Sequence, residues 1–167
     1  IVTITDDNGC QDTASVTITE PVTLIASIAL DSNASCNGIA DGGATASGIG
    51  GTITGSYVFL WDDPSAQTNA SATGLAAGTY NVTITDNNGC QDTETITITE
   101  PVTLTASIAL DSNASCNGIA NGGATASASG GTVTGAYLFL WDDPSAQTNA
   151  SAIGLAAGTY TVTITDD

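Results

Sequence analysis

Apolar residues recur at every second position in short bursts along this chain, and turn-forming residues separate the bursts. Thr79–Thr85 is the clearest burst, with Tyr80, Val82 and Ile84 on one side and threonines or Asn81 on the other. That is the period of a half-buried β-strand. Thr93–Thr99 follows with Ile96 and Ile98 on one side, and Asp86-Asn87-Asn88-Gly89 between the two predicts a tight hairpin. Upstream, Val22–Leu30 alternates imperfectly, Gly43–Ser47 is short and rich in Ala and Thr, and Gln67–Thr73 leads weakly into Leu75. Tyr57–Trp61 is apolar on both faces, as a central sandwich strand is. Six strands at this spacing predict a small immunoglobulin-like sandwich. Leu75-x-x-Gly78-x-Tyr80 predicts a corner in which the Tyr80 hydroxyl ties a crossing loop to the sandwich.

The whole series then returns. Cys10 recurs at Cys90, Cys36 at Cys116, Trp61 at Trp141 and Tyr80 at Tyr160, each 80 residues on. Between 1–80 and 81–160, 67 of 80 positions are identical. The predicted fold class is therefore all-β, a tandem file of immunoglobulin-like β-sandwich modules. Pro21 and Pro101, in the recurring Thr-Glu-Pro-Val, interrupt two strand patterns and mark the joints. On this division 1–20 are the C-terminal strands of a preceding repeat. Residues 21–100 are one complete repeat, and 101–167 a following repeat lacking its last strand. Near-copies of one module supply reach or many equal contact surfaces more readily than a single active site.

Charge removes whole classes of function. The chain has 17 acidic residues and no Lys, Arg or His, for a formal net charge of −17. No imidazole or amine is present to act as general base, and no nucleophilic Ser or Thr has one beside it. Nucleic acid is excluded as a partner, because no cation can replace the counterions on its phosphates. Anionic membrane surfaces repel such a chain, and no apolar run is long enough to insert. With no cationic side chain the carboxylates can only repel one another, and trypsin-like proteases find no Lys or Arg to cleave after. Thr and Ser make up 28 and 15 of the 167 residues, which suits pleated, half-exposed strands.

Several linked motifs carry a family resemblance. Cys36-Asn37-Gly38, Asp41-Gly42-Gly43, Gly50-Gly51-Thr52 and Tyr57-x-Phe59-x-Trp61 occur in that order. Leu75-Ala76-Ala77-Gly78-Thr79-Tyr80 and the stretch through Asp86-Asn87-Asn88-Gly89-Cys90 complete the series. It resembles the SprB-type repeat, found in tandem in very large cell-surface adhesins of gliding bacteria and related secreted proteins. The resemblance covers essentially the whole chain and implies a surface-exposed or secreted array of β-sandwich modules with structural or adhesive work. The second copy departs from the first at Asn121, which stands where Asp41 stands. A role needing that carboxylate is not shared by both copies.

Two cysteines per repeat suggest disulfides formed in an oxidising compartment. Pairing Cys36 with Cys90 closes a loop within one repeat and leaves Cys10 and Cys116 to adjacent repeats. It stabilises by roughly 4 kcal/mol on the chain-entropy model. The alternative joins Cys10 to Cys36 and Cys90 to Cys116 across the Glu-Pro joint.

A chain without cations has reason to recruit Ca²⁺, and no other cofactor is implied. Asp31-x-Asn33-x-Ser35 has alternating oxygen ligands but no closing Glu. Asp62, Asp63 and Asp86 are further candidate ligands, set against their ordinary role as turn-capping residues. Asn33, Asn69, Asn81, Asn113 and Asn149 head Asn-x-Ser/Thr sequences, and Thr13 lies in Asp12-Thr13-Ala14, an O-glycan acceptor pattern.

These readings converge on an extracellular, cell-surface bacterial protein of structural or adhesive function, a filament or stalk rather than an enzyme. Its partners are neighbouring repeats or further copies in a fibre, and glycans. If the chain is itself a subunit, Ile1–Glu20 has strands to lend to a neighbour, and strand complementation builds the fibre. The rival is a carbohydrate-binding module, for which Trp61, Tyr57 and Phe59 are the only aromatic platform. That reading requires an exposed Trp61.

Overall fold

The computed structural model describes residues 1–132 and 135–166. Val133, Thr134 and Asp167, which belong to the second repeat, lie outside the described residues. Every regular element among the described residues is a strand. Strands β1 (Val2–Thr5) and β2 (Gln11–Ala14) form an isolated hairpin whose residues are all exposed.

Six strands build the first sandwich: β3 (Ile25–Ser32), β4 (Gly42–Ile49), β5 (Val58–Trp61), β6 (Ser71–Leu75), β7 (Gly78–Thr85) and β8 (Gln91–Ile98). They make two antiparallel sheets, ordered β3-β4-β6 and β5-β7-β8. This is the ABE/CFG arrangement of an immunoglobulin domain without its D strand. Gln67–Thr73, expected as a strand, is displaced towards its C-terminus: Gln67 serves the turn before it, and pairing begins at Ser71.

The two inner faces differ in size. The β3-β4-β6 sheet contributes Ala26, Ala44, Ala46 and Ala72, with Leu75. The opposite sheet contributes Trp61, Val82, Ile84 and Ile98. Small residues on one face let large ones from the other interlock, which is how a sandwich of this size reaches interior density. Trp61 is 1% exposed, and its indole N–H donates to the Asn69 carbonyl at 2.9 Å. The Tyr80 hydroxyl donates to the Ala76 carbonyl at 3.1 Å, so the expected tyrosine corner is present.

β3 runs beside β8 in the same direction. The Ala26 N–H donates to an Asp92 carboxylate oxygen at 2.7 Å and the Ala34 N–H to the Thr99 carbonyl at 3.0 Å, which brings the first and last strands together. The β7–β8 hairpin turns through Asp86, whose carbonyl accepts from the Gly89 N–H at 3.1 Å. Gly89 takes the left-handed conformation at φ +85°, the bulge position of a three-residue hairpin loop.

A second sandwich repeats this pattern with β9 (Val102–Ser112), β10 (Gly122–Gly131), β11 (Leu138–Trp141), β12 (Ser151–Leu155) and β13 (Val162–Thr165). Its sheets are β9-β10-β12 and β11-β13, and its core gathers Ala124, Ala126, Trp141, Ala152, Leu155 and Val162. Residues 102–165 thus supply every strand of the first sandwich except the counterpart of β8.

The disulfide expectation needs correction. All four cysteines are free and exposed. Cys36 follows β3 at the Thr99 end of β8, whereas Cys90 precedes β8 at the Asp92 end. Eight residues at ~3.3 Å each set the two thiols about 25 Å apart along the strand. A disulfide needs Cα atoms within about 7 Å. Cys36 and Cys90 therefore cannot pair within one sandwich, and neither Cys10–Cys36 nor Cys90–Cys116 is formed.

Candidate functional site

A polar site bonded across both modules lies where the two sandwiches meet. Glu100 precedes Pro101, so the chain leaves β8 extended and its carboxylate faces the β3–β4 loop of the first sandwich. One oxygen accepts from Asn37 Nδ2 at 2.9 Å and the other from the Gly38 N–H at 2.7 Å. Asn37 Nδ2 also donates to the Pro101 carbonyl at 3.2 Å, while Asn37 Oδ1 accepts from Thr103 Oγ1 of the second sandwich at 3.0 Å. A further bond runs from Thr132 Oγ1 to the Ser35 carbonyl at 3.0 Å. Two loops, one strand and the linker are thus locked by charge-assisted and neutral bonds. Beside them Cys36, Asn37, Val102, Gly131 and Asp166 line a cleft of about 290 Å³.

Every residue of this joint has its counterpart 80 positions away. Glu20, Thr23 and Thr52 match Glu100, Thr103 and Thr132, and Ser115 and Asn117 match Ser35 and Asn37. The Cys36-Asn37-Gly38 string and the Glu-Pro joint were both visible in the sequence. Their mutual contact was not, because it depends on which end of the sandwich the β3–β4 loop occupies.

The candidate metal ligands do not converge. Asp31 accepts from Thr45 Oγ1 at 2.8 Å on the outer face of β3 and β4. Asp62 accepts from the Asn81 N–H and Nδ2, both at 2.7 Å. Asp63 is buried and caps its own turn, accepting from the N–H groups of Ser65 at 3.0 Å and Gln67 at 2.9 Å. Burial pushes its carboxyl up, but the Gln67 and Ser65 bonds together hold it below the ordinary value. Asp86 is buried beneath the hairpin and is held low chiefly by the Thr52 N–H at 2.7 Å, with those of Cys90 and Asn88 assisting. Among the described residues, no three acidic or thiol groups come together. The Asp41 departure is explained as well. Asp41 accepts from the Ser35 N–H at 2.8 Å, and Asn121 accepts from Ser115 in the same way at 2.9 Å. The position is a loop cap that an amide fills as well as a carboxylate.

Of the glycan candidates, Thr13, Asn33, Asn69, Asn113 and Asn149 are exposed. Asn81 is half-buried, and its amide nitrogen is already committed to Asp62. No aromatic platform for sugars exists at Trp61, which is in the core, while the Tyr57 hydroxyl is tied to the Gly50 carbonyl at 2.8 Å.

No family model matches this chain, and neither does any curated protein. Among solved structures, the chain is similar to the one titled "Crystal structure of tetra-tandem repeat in extending region of large adhesion protein". The TM-score is 0.31 at 12% identity, over 99% of this chain and 47% of that one. The present chain thus spans about half the length of that structure.

Proposed function

We propose that this chain is an extracellular structural or adhesive repeat protein, its sandwiches set in file as the beads of a filament or surface stalk. The observation that carries the reading is the bonded joint. Glu100, Asn37, Thr103 and Thr132 fix one sandwich on the next through residues that recur in each copy. The same bonds can therefore be made at every junction of a longer array, so a thread of defined pitch follows from one module. A net charge of −17 with no cation keeps neighbouring threads apart. The SprB-type resemblance supports the same reading, and a bacterial cell surface is the setting it implies.

Adhesion through glycans carried on exposed Asn and Thr residues belongs to this proposal, as does bridging of threads by Ca²⁺. A carbohydrate-binding module is disfavoured, since Trp61 is buried in the core and Tyr57 and Phe59 pack half-buried against it. Low-resolution imaging of the native material tests the proposal. Threads with a regular bead spacing are expected, and compact globules would overturn it.

A further inference from the structure

Asparagine followed by glycine is the pair at which a peptide chain most readily modifies itself. The glycine nitrogen attacks the asparagine Cγ, and glycine carries no side chain to hinder the approach. Asn37-Gly38 is such a pair, and it stands at the joint rather than inside either sandwich. Residues 36–38 are all exposed, so water reaches them. The Ile39 N–H donates to the Cys36 carbonyl at 3.2 Å, and Gly38 has φ +78°. Asn37 and Gly38 are therefore the central residues of a type II turn.

Each group that this reaction needs is held by the linker or by the second sandwich. The Gly38 N–H, on the attacking nitrogen, donates to one Glu100 oxygen at 2.7 Å. Asn37 Nδ2, the leaving group, donates to the other Glu100 oxygen at 2.9 Å and to the Pro101 carbonyl at 3.2 Å. Asn37 Oδ1 accepts from Thr103 Oγ1 at 3.0 Å, so the side chain is fixed at both ends. A type II turn also holds ψ of its first central residue at about +120°. A five-membered ring needs Cβ and the next nitrogen eclipsed, which requires the Asn37–Gly38 peptide to rotate out of that turn. The rotation breaks both bonds to Glu100, and bonds to a charged group are the strong ones.

We propose that Asn37 is a deamidation site guarded by the closed joint, and that a joint once modified cannot close again. When Glu100 leaves, the Gly38 nitrogen bonds to Asn37 Cγ and the Cγ–Nδ2 bond breaks. The Gly38 amide proton departs with Nδ2 as ammonia, which leaves a succinimide. Water then opens the ring to aspartate or isoaspartate, so position 37 gains a carboxylate. That group has no N–H to offer Glu100. It meets the Glu100 charge where a donor stood at 2.9 Å, in a chain with no cationic side chain to separate the two. A junction left open long enough therefore stays open. The proposal rests on the fixed joint of the array reading and adds an irreversible record of opening. Both halves of the latch recur one repeat away, in Asn117-Gly118 and Glu20-Pro21.

The test follows the full 167-residue chain at mildly alkaline pH, by peptide mass spectrometry and isoaspartyl methyltransferase labelling. Asn88-Gly89 is the reference within the same molecule. Asn88 Nδ2 donates to Thr52 Oγ1 at 2.9 Å and the Gly89 N–H to the Asp86 carbonyl at 3.1 Å, both inside the first sandwich. Glu100→Ala is expected to speed conversion of Asn37 roughly tenfold or more, since two charge-assisted bonds no longer oppose ring closure. Asn88 is expected to convert at the same rate in both chains. Asn37→Asp is expected to widen the spread of angles between the sandwiches, read by energy transfer between dyes on Ser65 and Ser145. Added salt should narrow that spread again by screening the two carboxylates. Equal Asn37 rates in the wild type and Glu100→Ala, acceleration of Asn88 along with Asn37, or a wild-type spread in Asn37→Asp would each overturn the proposal. Should the latch fail, the wild-type spread decides what fails with it. A narrow one leaves the array reading standing, whereas one as broad as a free linker gives removes both.

Discussion

Gly42 lies directly beneath Ile98: a Cβ placed on that glycine would sit 2.7 Å from Ile98 Cγ2 and 2.9 Å from the Leu75 carbonyl oxygen. The last strand of the sandwich can close over β4 only because position 42 has no side chain. Gly42→Ala is therefore expected to destabilise the first sandwich by about 1–3 kcal/mol, the ordinary range for overpacking. Urea unfolding followed by Trp61 fluorescence in a Trp141→Phe background measures the loss, and an unchanged midpoint would contradict the account.

Acid should act in two opposing ways. Protonating exposed carboxylates relieves repulsion within a chain of charge −17, so stability is expected to rise as pH falls from neutral. Asp63, Asp86 and Asp143 behave in the opposite sense. Each is held below the ordinary value of 3.8, Asp143 chiefly by the Gln147 N–H. A depressed folded-state value means stability that is fully present above the unfolded value and lost as pH falls through the folded one. The melting temperature should therefore pass through a maximum above pH 3.8 and drop below it. Asp63→Asn should lower the melting temperature at neutral pH and flatten the acid limb.

Most of the fold was legible in the sequence because its signals are local. Alternation in Thr79–Thr85, the Asp86–Gly89 turn and the Tyr80 corner all fall within a few residues of one another, and five of the six strands stand close to where the pattern puts them. The cysteine pairing failed for a non-local reason. Cys36 and Cys90 bracket one module in sequence, but β3 and β8 run in the same direction, so the residues after one and before the other end at opposite poles. The joint was hidden in the same way: Asn37 and Glu100 are 63 residues apart, and only that strand direction brings them together. The paired aspartates Asp62 and Asp63 read equally well as ligands or caps, and only their hydrogen-bond partners distinguish the two roles.

Ala66 and Ala146 are the only described non-glycine residues with positive φ, at 47° and 46°. Each closes the turn capped by Asp63 or Asp143, with its N–H donating to that aspartate's carbonyl at 2.8 and 2.9 Å. The left-handed region costs an L-residue about 1 kcal/mol or more, partly offset by the greater unfolded-state freedom of glycine. Ala66→Gly is expected to raise stability by about 0.5 kcal/mol, and Ala146→Gly to do the same in the second sandwich. A loss in both would mean that the alanine methyl groups contribute packing that outweighs the strain.

Glu100 should govern orientation rather than folding. Its carboxylate touches only Asn37 and Gly38 in an exposed loop, and no buried side chain depends on it. Glu100→Ala removes two bonds of the joint while Asn37 keeps Thr103 and Pro101. Each sandwich should keep its stability to within about 0.5 kcal/mol, as surface substitutions generally do. The distribution of angles between the sandwiches should widen, and energy transfer between dyes on Ser65 and Ser145 reports that spread. Added salt should widen it in the wild type too, since the Glu100 bonds are charge-assisted and exposed. An unchanged distribution in Glu100→Ala would place the rigidity of the joint in Pro101 and the neutral bonds, and would shift the search for a softened thread to Asn37→Ala.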